Sequence, residues 1–382
     1  MLKRPYVPFY MEGIESIVSG KQKRVVIQIE YLEEIMSKVR FGVVGCGNIG
    51  KIHAGIICSI PDAILTGVSD VNPVLCGNLA KSLDCSSYEN YVDMLKREDI
   101  DAVAVCLPSG MHCQAVTDAA RAGKHVIVEK PIEIEPERAE VMIDTCRKYG
   151  VKLSVILQHR FDDAVQTLKR SVNDGNIGNL FMGSSRTVWY REPEYYTGNS
   201  WRGTWKLDGG GALINQSIHY IDLLLYIMGP VESVSGKCRT LLHKSIEVED
   251  TGIATLQFKS GAIGTIEGTT IAYPGLFTEL SIYGEKGTAV IKNDQLEFYK
   301  FKEGEKLEFK ELLNRKVEAK TGQSKAEGLD TASHKKQYID VIDAIKNNCE
   351  PLITGEEGIR SLAVIRAIYE SSKNQKDVAV NI

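Results

Sequence analysis

"VRFGVVGCGNIGKIHAGII", residues 39–57, decides the fold. An apolar run enters a turn with glycines at 45, 47 and 50, and a helical pattern leaves it. In such a turn the first glycine permits the tight bend. The second lets a pyrophosphate approach the backbone, and the third lets helix and strand pack closely. The helix N-terminus then faces the phosphates. A second apolar run, "AILTGVSD", ends at Asp70, twenty residues beyond Gly50. A carboxylate there binds the adenine ribose hydroxyls and repels a 2′-phosphate. No arginine follows it to receive such a phosphate, so the stretch predicts NAD rather than NADP. The cofactor residues expected here are Gly45, Gly47, Asn48, Ile49, Gly50 and Asp70. The rival reading is that Asp70 only caps the helix opening at Pro73.

Working outward, buried-strand patterns recur at "AVAVCLP", "KHVIVEKP" and "VKLSVILQ". Helical patterns lie between them at about 50–59, 73–82, 112–122 and 136–149. Short strands alternating with helices predict a doubly wound parallel sheet, which binds ligands at the carboxyl ends of its strands. Beyond residue 157 the pattern changes. A helix at 161–173 precedes alternating runs such as "TGIATLQFKS", where Ala254, Leu256 and Phe258 share one face. That alternation predicts a largely antiparallel sheet with one face covered. Residues 301–333 read as an exposed hairpin and loop, and helices at about 334–347 and 356–373 close the chain. The fold class expected is α/β: a Rossmann-like parallel sheet over 38–157, then an α+β domain with an open, largely antiparallel sheet over 158–382. Residues 1–37 read as an extension, with Met36 an alternative start and "RVVIQIEYLEEI" one element within it.

Composition narrows the class. The chain has 382 residues, 43% hydrophobic and 25% charged, and a net charge of −4, which gives no general pull toward nucleic acid or anionic membrane. No apolar run approaches the ~18 residues of a membrane span, and the N-terminus has no secretory pattern. Nine scattered cysteines argue for reduced thiols and a cytoplasmic setting. Cys106, His112 and Cys113 lack the further ligands of a zinc site, so no metal is expected.

Three motifs carry candidate chemistry. "LPSGMHC" (107–113) follows the third strand of the parallel set, and Pro108, Ser109 and His112 are assigned to the nicotinamide side of the cofactor. The same stretch also reads as a helix start capped by Ser109. In "VEKP" (128–131) a Glu-Lys pair follows a buried run. It is either a solvated charge pair or a partly desolvated lysine that polarises an alcohol oxygen. On the second reading Glu129 contacts the cofactor ribose or holds the lysine. Gln158 is taken with the cofactor residues and Arg160 with the substrate residues. In "DGGGALINQSIHYID" (208–222) the glycines permit close backbone approach, and Asn215 and His219 share a helix face at i, i+4. Asp222, three residues on, is expected to hydrogen-bond and orient the imidazole. Taken alone, His219 is more readily a satisfied core histidine; the orienting carboxylate and the dinucleotide site favour the catalytic reading.

Together, "GCGNIG", "EKP" and "GGGALINQSIHYID" resemble the Gfo/Idh/MocA oxidoreductase family over about 38–382. The resemblance implies hydride exchange between a nicotinamide cofactor and a sugar or polyol. It also implies a homodimer or homotetramer, since the open sheet of the second domain often forms the oligomer interface. Lys130 matches the family's lysine and His219 its catalytic histidine. The family often carries Asp four residues before that histidine, and here the position is Asn215. On this reading His219 takes the hydroxyl proton and Lys130 stabilises the developing alkoxide. The stretch "VWYREPEYYTGNSWRGTW" (188–205) then lines the pocket, with its aromatic residues, Trp201 among them, suited to a pyranose face and Arg191 and Arg202 to a carboxylate or phosphate; the alternative is that the aromatics are sheet packing and the arginines surface pairs. The "WRGTW…DGGGAL…NQ…IH" pattern is similar to dehydrogenases that oxidise the 3-hydroxyl of UDP-N-acetylglucosaminuronate. A free sugar or inositol is the rival substrate. A catalytically silent NAD-binding regulator and an NAD-using glycosidase-like cycle are the rival classes.

Overall fold

In the computed structural model, whose described residues are 38–198, 201–304, 307–314 and 331–381, the glycine turn joins β1 (Val39–Val44) to α1 (Asn48–Cys58). The N-terminal extension and its expected element lie outside the described residues. Four more strands follow in the order read from the sequence: β2 (Ala63–Ser69), then, after a short β3 (Ser86–Tyr88), β4 (Ala102–Val105), β5 (His125–Val128) and β6 (Leu153–Val155). The helices between them are α2 (Pro73–Leu83), α3 (Tyr91–Leu95), α4 (His112–Arg121) and α5 (Pro136–Tyr149). All six strands are parallel, in the order β3-β2-β1-β4-β5-β6. Helices on both faces bury β1 and β4 almost completely, and that is why these strands are continuous apolar runs. The order reverses between β1 and β4, which opens a crevice at their carboxyl ends.

The second sheet has eight strands: β7 (Leu180–Val188), β8 (Val231–Arg239), β9 (Thr251–Phe258), β10 (Ile263–Thr269), β11 (Phe277–Gly284), β12 (Gly287–Lys292), β13 (Gln295–Phe301) and β14 (Val378–Ala379). Their order is β13-β12-β11-β7-β10-β9-β8-β14. Only β7 and β10 run parallel, and the other pairs are antiparallel. In β9 Ala254, Leu256 and Phe258 are buried while Ile253, Thr255 and Gln257 are exposed. The remaining helices are α6 (Asp163–Asn173), the short α7 (Glu194–Thr197), α8 (Ile218–Met228), α9 (Leu307–Asn314), α10 (Ala332–Asn347) and α11 (Gly355–Asn374). Where an exposed loop was expected, α9 buries Phe309 against Tyr299 and Phe301. Helix α8 packs under the covered face, where Gly183 leaves room for Leu224 and Met228. Helix α10 returns to the first sheet, placing Tyr338, Val341 and Ile342 in one apolar cluster with Phe41 and Ile57. All nine cysteines are free thiols. Among the described residues no helix is long and apolar enough to cross a membrane.

Candidate active site

At the glycine turn the backbone leaves no choice of residue. Gly45 has φ +101°, and a Cβ there would meet the carbonyl of Cys106 at the end of β4. A Cβ on Gly50 would strike the carbonyl of Gly45, whereas Gly47, the N-cap of α1, faces open space. The turn is therefore packed behind and open in front, the shape a pyrophosphate requires at a helix N-terminus. Asn48 and Ile49 open the helix. Asp70 is pinned beside the turn: its Oδ2 accepts from the Cys46 N–H (2.7 Å) and its Oδ1 from the Asn72 N–H (2.8 Å). The cap of α2 belongs instead to Asn72, whose side chain accepts from Val74 and Leu75. Asp70 is thus not the helix cap. The dinucleotide fits this cradle.

The next two strand ends bring both structural and chemical groups. Pro108 and the buried Ser109 follow β4 at the crevice edge. His112 was expected to face the cofactor and does not. Its Nδ1 lies 3.0 Å from the Pro131 carbonyl and its Nε2 2.9 Å from that of Leu107, so the ring ties the β4 and β5 loops together. Glu129 is also turned inward. Its Oε1 meets His53 Nε2 of α1 at 2.8 Å, and its Oε2 accepts from the Lys130 N–H at 3.1 Å. It therefore holds the lysine turn, and its carboxyl oxygens are committed to protein groups rather than to a ribose. Burial pushes the Glu129 carboxyl up, but the His53 hydrogen bond and charge, with Lys130 and His334, prevail and hold it at about 2. The Nδ1 of His53 in turn meets the Tyr338 hydroxyl of α10 (2.6 Å).

Lys130 reaches across to the second domain. Its Nζ donates to the backbone carbonyl of Asn215 at 2.7 Å. Burial, with Arg202 and Arg191, lowers its pKa, against Glu129 and Asp208. Asn215 stands in a π-helical segment, Ala212–Ser217, that runs straight into α8. Wide turns of this kind cluster at functional sites. Three glycines feed it, each against a different neighbour: a Cβ on Gly209 would hit Ile134, one on Gly210 the Tyr369 hydroxyl, and one on Gly211 the Glu249 carbonyl. Glu249 fixes the start of the segment by accepting from the N–H groups of Gly211 (2.9 Å) and Leu213 (2.8 Å) and from the Tyr369 hydroxyl (2.8 Å).

Around Asn215 lies one connected polar network. Its Nδ2 donates to Asp208 Oδ1 (2.5 Å), and its Oδ1 accepts from Gln216 Nε2 (3.1 Å). Gln216 also donates to the Tyr195 hydroxyl (2.7 Å) and accepts from Arg191 (2.9 Å), and Arg202 bonds the same hydroxyl. The Arg202 guanidinium lies 4.2 Å from the Tyr195 ring centre and 4.7 Å from that of Trp201. His219 follows on α8, with its Nδ1 buried and without a hydrogen-bond partner. Burial, with the nearby charges of His159, Lys130 and His334, holds it well below the ordinary histidine value. Gln158 likewise buries its Oε1 without a partner, an acceptor open to a ligand donor.

Two expectations fail here. Asp222 does not orient His219: its carboxylate takes Arg160 Nε and Nη2 at 2.8 and 2.7 Å. Arg160, 1% exposed, also pairs with Glu357 (2.8 Å), so it is not available to a substrate. The partner of the His219 ring is instead His159, with centroids 5.0 Å apart. His159, Asp162 and Asp294 are the one group among the described residues whose ligand atoms lie within 4.8 Å of one another, and His159 Nδ1 is already bonded to Asp162 (2.7 Å). Sequence reading missed Asp208, Gln216 and His53, and it placed Tyr195 only within the aromatic stretch 188–205. Asp208 stood in the quoted motif, where it read as part of the turn.

Two family models match the chain: oxidoreductase family, NAD-binding Rossmann fold, over residues 39–157, and oxidoreductase family, C-terminal alpha/beta domain, over 169–380, both of GFO_IDH_MocA type. The crystal structure of the WlbA dehydrogenase from Bordetella pertussis, in complex with NADH and UDP-GlcNAcA, is 34% identical with a TM-score of 0.82, covering 90% of this chain and 98% of that one. Myo-inositol 2-dehydrogenase from Thermotoga maritima is 32% identical over 262 residues, 67% of this chain and 75% of its own. Inositol 2-dehydrogenase from Rhizobium meliloti is 27% identical over 356 residues, 90% of this chain and 99% of its own.

Proposed function

The chain belongs to the Gfo/Idh/MocA oxidoreductase family, as an NAD-dependent enzyme of the sugar and polyol dehydrogenase type, and from that premise we propose that it oxidises a ring hydroxyl of an anionic nucleotide sugar, the 3-hydroxyl of UDP-N-acetylglucosaminuronate first. The observation that carries the substrate class is charge. Lys130, Arg191 and Arg202 lie within one another's field, and the carboxylates that offset them are Glu129 and Asp208 at Lys130 and Asp208 at Arg202. Burial pushes the pKa of both arginines down, so each gains from an anion it can bind in the dry site. The WlbA neighbour supports the nucleotide part of the reading, because its crystal holds UDP-GlcNAcA.

Gly45–Gly50 and Asp70 hold the cofactor, with Pro108, Ser109 and Gln158 along its path. NAD, when bound, supplies the carbon that accepts hydride from the substrate C–H. The substrate hydroxyl sits between Lys130 and His219. His219 is neutral at physiological pH because its pKa is depressed, so it takes the hydroxyl proton. Lys130 has three N–H donors and spends one on Asn215, which leaves two for the oxygen as it becomes alkoxide and then carbonyl. Trp201 and Arg202 flank the sugar.

The test is NAD reduction, followed by absorbance, against UDP-N-acetylglucosaminuronate, UDP-N-acetylglucosamine, free sugars and myo-inositol. We expect the uronate to lead its uncharged counterpart by about a hundredfold in kcat/KM, the scale of one buried charge-assisted contact. Preference for myo-inositol or a free sugar would overturn the substrate. Lys130→Ala or His219→Ala should keep NAD affinity and cut turnover by about 100-fold or more. Near wild-type turnover in both would remove their assigned roles.

A further inference from the structure

Asn215 touches both reacting domains, yet it carries no charge. Its backbone carbonyl holds Lys130 Nζ at 2.7 Å, and its side-chain amide donates to Asp208 Oδ1 at 2.5 Å. Asp208 is 1% exposed, and its second oxygen accepts from the Gly203 N–H at 2.8 Å. A carboxylate so deeply buried costs stability unless charges and donors compensate it. Burial pushes its pKa up, and the Gly203 N–H, Asn215, Arg202 and Lys130 oppose that rise without cancelling it. We propose that Asp208 is a positioning residue of the reaction centre: it fixes Asn215, whose backbone carbonyl holds Lys130, and adds its negative charge to that of Glu129, so that Lys130 stays protonated and aimed at the substrate oxygen. This rests on the roles given above to Lys130 and His219.

The geometry explains why the charge can sit at 208 rather than on the helix. The two side chains are in hydrogen-bond contact, and Asp and Asn have nearly the same shape. Exchanging them moves one carboxylate oxygen across a single hydrogen bond. Asn215 is itself locked, because Gln216 Nε2 supplies its Oδ1 and Asp208 receives its Nδ2, so the amide cannot flip without losing both bonds. The groups facing Lys130 are Glu129 from the β5 loop, Asp208 from the loop before the glycines, and Arg191 and Arg202 from the 188–205 segment. His219 on α8 lies within the field of Lys130. Glu129 is bonded to His53 and to the Lys130 N–H, whereas Asp208 is the carboxylate hydrogen-bonded to Asn215 in the substrate-facing network.

The test titrates Lys130 directly. The full-length protein, saturated with NAD, is reductively methylated with 13C-formaldehyde. The Lys130 signal is assigned by its loss in Lys130→Arg and followed with pH by NMR. In Asp208→Asn the midpoint should fall by about one pH unit, the scale of losing a close opposite charge. In Asn215→Asp, which adds a carboxylate, it should rise. In the exchange variant D208N/N215D it should return to the wild-type value, and turnover lost in Asp208→Asn should recover at least tenfold. An unmoved midpoint in Asp208→Asn overturns the proposal, as does an exchange variant that behaves like Asp208→Asn. If Asp208→Asn does not fold, Asp208→Ser takes its place, with the same fall expected and an unmoved midpoint overturning the proposal. If no sugar is turned over by the wild type, the proposed function fails, while the lysine titration still judges Asp208.

Discussion

Two carboxylates on adjoining segments, Asp208 and Asp222, have opposite duties, and their partners show which is which. Asp222 forms a two-pronged pair with Arg160, both side chains 1% exposed. Such pairs contribute little when intact, but removing Asp222 leaves the buried Arg160 with Glu357 alone, at a cost of about 2–3 kcal/mol, below that of a fully unpaired charge. Asp222→Asn should therefore lower the thermal midpoint sharply while leaving the pH profile of any remaining activity unchanged. A variant of normal stability with a displaced profile would return Asp222 to the histidine. His219 gives a second prediction at this scale. Its pKa is depressed, so the folded state prefers the neutral ring. Fold stability tied to this group is present above the ordinary histidine value of about 6.5 and declines as pH falls below it. The base is likewise competent throughout neutral pH. The acid limb of kcat/KM should lie below 6.5, and a limb at or above that value would mean that the working base is another group.

At the scale of elements, the segment Ala212–Ser217 matters most, and it was the least readable from sequence. "ALINQSIHYID" reads as one amphipathic α-helix, and the i, i+4 pairing of Asn215 with His219 assumed α geometry. The π register arises from contacts no local pattern contains. Ser217 Oγ bonds back to the Ala212 carbonyl (2.8 Å), and Glu249, 38 residues away from Gly211, holds the entry. By contrast, β1, β2, β4, β5 and β6 of the first sheet were readable because burial on both faces makes them largely apolar, and the Gly45–Gly50 turn because its glycines have one steric explanation; the edge strand β3, polar and only partly buried, was not. The pairing of β7 with β10 was not, since alternation is the same for parallel and antiparallel neighbours. His53 and Tyr338, 285 residues apart, are joined only by the fold. The glycine entry is testable. A methyl at 211 would collide with the backbone carbonyl of Glu249, which cannot swing away as a side chain would. Gly211→Ala should cost about 1–3 kcal/mol through overpacking and depress turnover more than NAD affinity, because the displaced element carries Asn215 and His219 but no cofactor residue. Equal loss of both would place the damage in the fold at large.

For the molecule as a whole, the chain builds its site by returning on itself. Helix α10 carries Tyr338 back to the first sheet, where it supports His53, Glu129 and hence Lys130. Helix α11 supplies Tyr369 to Glu249 and Glu357 to Arg160 from the other side. The covered face of the second sheet is thereby consumed by the interior, and the opposite face is left with Ile253 and Ile263 at 56% and 59% exposure and Met182 paired beside Ile263. Apolar side chains on neighbouring strands of one uncovered sheet face are a liability in a monomer and an asset in a homo-oligomer. We propose that this face joins copies of the chain, in a dimer or a tetramer. Light scattering during size exclusion should give two or four times 42.3 kDa at micromolar concentration. The double variant Ile253→Glu/Ile263→Glu should elute as a monomer with unchanged far-UV circular dichroism, because both side chains point away from the core. A wild-type monomer, or an oligomer indifferent to two buried glutamates, would place the interface elsewhere or remove it. The active-site network lies against the covered face, so the monomeric variant should still bind NAD.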